Sequence, residues 1–283
     1  MSSTKLHIEG GTGRPDAIKS YLDLIDRREY DSASAVMEDA YVEFNLTRPN
    51  KTDREVDTKG MLTTLTKLGL VKDDNRQQLT ELGEEFIDVI IYNEDAFFAL
   101  FHLLYSTSYY RNPSGKTGIS WSYYQISDAY RRRAPTNFAD ARQGVIEEVM
   151  EKADRMDSPI FDDPGPLSKR SLNSYRRFIE KLDPHVLENG TFDLRSFAQT
   201  ELVIGAVDSL YRSDIIFKSL RYGDRLELSG ESKEFLSTVL LVHEDDLPEL
   251  LEHTASMDGR LSIESDYSIR IRLTEEVNID DLA

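Results

Sequence analysis

Met61 to Phe86, MLTTLTKLGLVKDDNRQQLTELGEEF, is the stretch on which the fold turns. Leu62, Leu65 and Leu68 fall on one helical face, and Gly69 supplies a stop. Leu70 and Val71 open a strand, Lys72 to Asn75 turn the chain back toward Leu79, and Thr80 stands as the N-cap of a new helix. A helix running into two short strands joined by a polar turn is how the third helix and hairpin of a winged-helix unit read.

The same pattern recurs twice downstream. In Ser171 to Arg195, Tyr175, Phe178, Ile179 and Leu182 make the helical face, and Asn189-Gly190 makes a hairpin turn before Thr191 to Leu194. In Leu247 to Leu273, a helix from Asp246 ends near Asp258-Gly259. Arg260 to Ile263 then pairs with Tyr267 to Leu273 across Ser265-Asp266. Ile269, Ile271 and Leu273 alternate with Arg270 and Arg272, as a half-buried strand requires. The expected fold class is mainly α with short β-hairpins, in tandem winged-helix units.

Other helices are expected over Asp16–Arg28, Ser32–Phe44, Ile119–Arg133, Asn137–Met156, Phe197–Leu220 and Lys233–Leu241, with a short strand over Arg225–Leu228. The segment from Glu94 to Tyr110 is apolar on nearly every face, which places it at the centre of the fold. The expected organisation is a flexible arm over 1–13, a winged-helix domain over 14–91, a helical domain ending in a second winged-helix unit over 92–196, and a helical domain with a hairpin over 197–283.

No apolar run approaches the ~20 residues that a membrane helix needs. Without a signal peptide or lipidation pattern, the chain is expected in the cytoplasm, with no membrane partner. The absence of cysteine excludes disulfides and thiolate metal sites. The 52 acidic residues outnumber 34 basic ones for a net charge of −18, and the basic set holds 22 Arg but 12 Lys. That balance looks like the proteome of a salt-accumulating archaeon; an ordinary acidic protein is the alternative. At molar salt the Debye length falls to ~3 Å, so nucleic-acid contacts would need close hydrogen bonds and stacking.

Two islands stand against this acidic background. Between Ser108 and Pro135, Arg111, Lys116, Arg131, Arg132 and Arg133 oppose only Asp128, among Tyr109, Tyr110, Trp121, Tyr123, Tyr124 and Tyr130. Cations interleaved with aromatics suit phosphate contact and base stacking; equally, the rings can fill a core while the arginines meet helix ends or neighbouring acids. In the second island Lys169, Arg170, Arg176, Arg177 and Lys181 oppose Glu180, on the helix that winged-helix proteins place in a major groove. These ten residues are the candidate nucleic-acid contacts. The cations of the first unit are diluted by acids, which suits packing or partner recognition.

Catalytic patterns are absent or incomplete. Gly115-Lys116-Thr117 lacks the first glycine of a phosphate loop, and Gly10-Gly11-Thr12-Gly13 lacks the dinucleotide spacing. The five histidines show no metal-ligand pairing, and His243 to Asp246 reads as a helix start. Asp214 followed by Glu231 and Lys233 has the order of a Mg²⁺-dependent nuclease, but Glu231 to Phe235 reads as a helix cap rather than a buried strand. The expectation is a protein that is not an enzyme and needs no cofactor or metal.

Within residues 57–130, a helix followed by LGLV, then LTELGEEF, FFALFHLLYS and the aromatic WSYY resembles a family of uncharacterised proteins encoded beside DNA-phosphorothioation genes in prokaryotic defence islands. The resemblance implies a non-catalytic accessory protein of a DNA-modification or antiviral system, and carries no catalytic residues. The resulting expectation is a DNA-binding subunit whose partners are double-stranded DNA, with or without modification, and other subunits of a complex. The alternatives are an adaptor that binds a protein partner without DNA, and the nuclease.

Overall fold

The computed structural model of the chain describes residues 15–44, 55–74, 76–112, 118–156, 167–213, 216–217 and 220–282. The expected arm, the linker over 157–166 and both phosphate-loop lookalikes lie outside them. The described residues are mainly helical, with eleven α-helices and two small three-stranded antiparallel sheets. No helix among them is long and apolar enough to cross a membrane.

The first segment carries α1 (Pro15–Arg27), α2 (Ala33–Phe44), α3 (Glu55–Lys67) and α4 (Glu81–Tyr92). Gly69 ends α3 with φ +81°, a conformation L side chains rarely adopt. Thr80 then caps α4 by accepting from the Gly83 amide at 3.1 Å. Between these caps Val71 bridges Leu79, and Tyr30, between α1 and α2, bridges Gln77. Gly83 marks where α4 presses on the returning chain: a Cβ there would sit 2.2 Å from the Leu70 carbonyl oxygen. Because that obstacle is backbone, it cannot rotate away. Gly83→Ala is expected to cost about 2–3 kcal/mol in urea unfolding.

A short 3₁₀ turn, Glu94–Ala96, leads into α5 (Phe97–Arg111). Every residue from Phe97 to Tyr110 except Phe98 is buried, as the all-round apolar pattern predicts. α5 packs against α6 (Gly118–Arg131) and α9 (Thr200–Tyr211), which are themselves largely buried. Hydroxyl residues are tolerated in these helices because Thr107, Ser108, Ser122, Ser127 and Ser209 each donate to the carbonyl four residues back.

His102 on α5 is fully buried between Tyr123 and the Val239 carbonyl, 2.8 Å from each. A carbonyl only accepts, so Nε2 carries the proton and Nδ1 accepts from the Tyr123 hydroxyl. Burial, set against the hydrogen bond to Val239, pushes the imidazole down to about 3. The unfolded chain therefore binds a proton that the folded chain refuses, and stability falls as pH drops below about 6.5. Between pH 7.5 and 5 the parent is expected to lose about 2 kcal/mol more than His102→Gln, measured by urea titration. Equal losses would show that His102 does not set this dependence.

The middle segment runs through α6, β1 (Thr136–Asn137), α7 (Phe138–Asp154), α8 (Lys169–Ile179), β2 (Leu187–Glu188) and β3 (Thr191–Phe192), in sheet order β1-β3-β2. The last runs through α9, β4 (Leu226–Glu227), α10 (Gly230–Leu240), α11 (Leu247–Met257), β5 (Leu261–Ser265) and β6 (Ile269–Leu273), in order β4-β6-β5. Both repeat one plan: helix, strand, two helices, then a hairpin whose second strand pairs with the first. The α1–Leu79 segment follows it too, with single bridges in place of strands. The β2–β3 turn uses the expected Asn189-Gly190, both at positive φ. In the third hairpin Ser265 pairs Ile269, so Tyr267 sits in the turn, fully exposed, rather than opening the strand as the sequence suggests.

Arg195 joins the last two segments. Its amide donates to Leu241 O, and its buried guanidinium donates to the carbonyls of Leu240, Asp183 and Pro184. Burial pulls that guanidinium down to about 10.

Candidate nucleic-acid interface

The first basic island is folded into ion pairs. Arg131, 9% exposed, reaches Asp128 at 2.9 Å, Glu244 at 2.8 Å and Glu234 at 3.5 Å. Arg132 meets Asp128 at 2.9 Å as well as Glu148, while Arg133 meets Glu148 and the Ala129 carbonyl, each at 2.7 Å. Lys152 of α7 adds contacts to Asp128 at 2.9 Å and to Gln125 at 2.8 Å. Four cations thus meet four carboxylates. Burial would raise the Asp128 carboxyl, but the hydrogen bond and charge of Lys152, with Arg131 and Arg132, outweigh it and hold it below its ordinary value. The local excess of positive charge counted along the sequence is cancelled in space.

The aromatics of that island are core. Tyr109, Tyr110, Trp121, Tyr123, Tyr124 and Tyr130 are all buried. Tyr123 stacks on Tyr105 with centroids 4.3 Å apart, and Tyr130 stacks on Phe138 at 4.4 Å. None offers a free ring face for a base.

Arg111 ends α5 and turns inward, its Nη2 2.8 Å from Oδ2 of the fully buried Asp208. Arg212 closes on the same oxygen at 2.6 Å, near but off the N–H direction, so that contact is an ion pair rather than an aligned hydrogen bond. The other oxygen accepts from the Tyr222 hydroxyl at 2.9 Å and the Val277 amide at 3.1 Å. Burial lowers the Arg111 guanidinium, with Asp208 opposing. For Arg212 burial also pulls down, but Asp208 and the neighbouring Tyr222 and Glu276 prevail and raise it. Lys116 lies outside the described residues.

The second island has a different setting. α8 starts on Ser168, whose Oγ accepts from the Ser171 amide at 3.3 Å, and it buries Leu172, Tyr175, Phe178 and Ile179. The opposite side is open: Lys169, Arg170, Asn173, Arg177 and Lys181 are exposed, and Arg176 is half-buried. Helical periodicity places Asn173 at the middle of that arc, directed away from Tyr175 and Phe178. Arg176 pairs with Glu180 one turn on, at 2.9 Å, and Lys181 reaches Asp16 of α1 at 2.9 Å. Arg170 and Arg177 also engage neighbours, while their side chains stay solvent-accessible.

The helices in the equivalent place of the other two segments differ. From Gly60 onward α3 is buried or half-buried, with Met61, Leu62, Thr64 and Leu65 buried. α11 exposes Glu249, Glu252, His253, Ser256 and Met257. Of the three, α8 alone presents a cationic solvent face among the described residues.

For the nuclease reading, Glu231 is exposed in the first turn of α10, beside the Ser229–Ser232 capping box, and Lys233 follows it. Asp214 lies outside the described residues, and no group of three or more His, Asp or Glu among those described is placed to hold a metal ion. Local sequence did not reveal Asn173 as the centre of the cationic face, nor the acids that cancel the Arg131–Arg133 run. Family models, curated proteins and solved structures offer no match to this chain.

Proposed function

We propose that the three recurrent segments are winged-helix units and that the middle one binds duplex DNA through α8, making the chain a non-catalytic DNA-binding subunit. The observation that carries this reading is the open strip of Lys169, Arg170, Arg176, Arg177 and Lys181 around Asn173, on the helix in third position before a hairpin. A second feature supports it. Lys169 and Arg170 occupy the first turn of α8, which holds no acid, where the helix dipole disfavours cations. A DNA phosphate there would meet both the helix N-terminus and these two cations.

In this reading the cations fix the helix on the backbone, and Asn173, which helical periodicity directs opposite the buried face of α8, faces base edges. The tight Asn189-Gly190 turn leaves little hairpin to reach further, so α8 carries the contact. The sequence resemblance to proteins encoded beside DNA-phosphorothioation genes supports reading such a subunit as part of a DNA-modification or antiviral complex. The acidic composition fits work in a salt-rich cytoplasm. The test is duplex titration of an α8 charge-neutralised variant against an Arg131/Arg132/Arg133 variant: loss in the first alone supports the reading, and loss in the second alone contradicts it.

A further inference from the structure

The third unit presents a face of opposite character. Along α11 the exposed ridge runs Glu249, His253, Met257, with Glu252 and Ser256 beside it. Phe197, on the segment before α9, lays its ring against His253 with centroids 5.9 Å apart. Phe197 is 44% exposed and Met257 is 69% exposed, so an aromatic, an imidazole and a thioether form one open apolar strip. Glu249 and Glu252 border it on the same helix, with His243 and Asp245 exposed just before α11 and Glu244 between them held by Arg131.

We infer that this ridge docks a cationic segment of another protein, one that carries an aliphatic anchor for the Phe197–His253–Met257 strip. Charge complementarity decides the occupant. A polyanion is repelled by Glu249 and Glu252, and a second acidic copy of this ridge would repel its twin. A segment with Lys or Arg flanking a Leu or Ile satisfies both carboxylates and covers the apolar strip. Met257 is unbranched and sits at the helix end, so it can adapt to the anchor. The inference does not depend on α8 binding DNA. It gives the chain two equivalent helices with opposite partners, α8 for an anion and α11 for a cation.

The test uses protein labelled with ¹³C at its methionine methyls, titrated with an amphipathic Lys/Leu/Ala peptide of about 14 residues. Met156, 36% exposed and distant in sequence, is the internal control. The Met257 resonance is assigned by Met257→Leu. Saturable movement of the Met257 signal with Met156 unmoved, and at least ~10-fold weaker binding in Glu249→Lys/Glu252→Lys, support the inference. A Glu/Leu/Ala peptide of the same length should leave Met257 unmoved. Equal movement of Met156 and Met257, a still Met257, or undiminished affinity in the charge-reversed variant would overturn it. Phe197→Ser supplies the apolar arm: it should weaken binding while circular dichroism and thermal unfolding stay near those of the parent.

Discussion

Replacing Lys169, Arg170, Arg176 and Arg177 together by glutamine is expected to weaken duplex binding by about 100- to 1,000-fold at ~0.1 M KCl, with the gap closing toward ~1 M. Each phosphate contact contributes about 0.9 to the slope of log affinity against log salt, so losing three to four flattens it by roughly three. The lower bound reflects Arg176, half-buried and already held by Glu180. The matched Arg131→Gln/Arg132→Gln/Arg133→Gln variant removes almost as many cations from the same acidic chain, yet it should change affinity by less than about 3-fold at ~0.1 M KCl. Its cost appears in folding instead, because Asp128 keeps a buried charge with Lys152 as its remaining cation. A salt series by fluorescence anisotropy, with urea melts beside it, separates the two sets.

The second large effect concerns Asp208. Asp208→Ala is expected to cost about 3–5 kcal/mol, because Arg111 and Arg212 would both be left without their shared carboxylate in a water-poor site. The Tyr222 hydroxyl and the Val277 amide would lose their acceptor as well. Asp208 thereby ties the end of α5, the end of α9, the Tyr222 loop and the C-terminal segment together, and one substitution loosens all four. Asp208→Asn keeps an acceptor oxygen but no charge, so its loss should fall between those of the parent and the alanine variant. Urea unfolding gives both values; an alanine variant within about 1 kcal/mol of the parent would show that the pair barely repays its desolvation.

How far the sequence revealed these features depended on their range. Caps, stops and tight turns are local, and Gly69, Thr80 and Asn189-Gly190 occupy the conformations their residue types demand. The hairpins were legible for the same reason. Their partner strands were harder to find: Tyr30 and Thr136–Asn137 contribute one or two residues, too few for an alternation to show. The three-stranded closure of the last two segments, and the two single bridges that stand in for it in the first, emerged from pairing across distance.

The two basic islands divide along the same line. Both count as +4 on the chain. Glu148 lies fifteen residues from Arg133, and Glu234 and Glu244 lie more than a hundred from Arg131, so their neutralising effect is visible only in space. Aromatic interleaving was similarly ambiguous, because Tyr123 and Tyr130 satisfy their hydroxyls with His102 and the Phe138 carbonyl inside the core. For α8 the apolar positions Leu172, Tyr175, Phe178 and Ile179 already define the inner face, which leaves its cations solvent-accessible even where Arg176 pairs with Glu180 and Lys181 with Asp16.

Contact between α8 and the double helix is tested most directly by placing a photoreactive side chain at Asn173, and in a second protein at Glu249 of α11, and irradiating each with a labelled duplex. The account predicts a crosslink from position 173 that unlabelled duplex competes away, and none above background from position 249. No crosslink from 173, or equal yields from both positions, would contradict it.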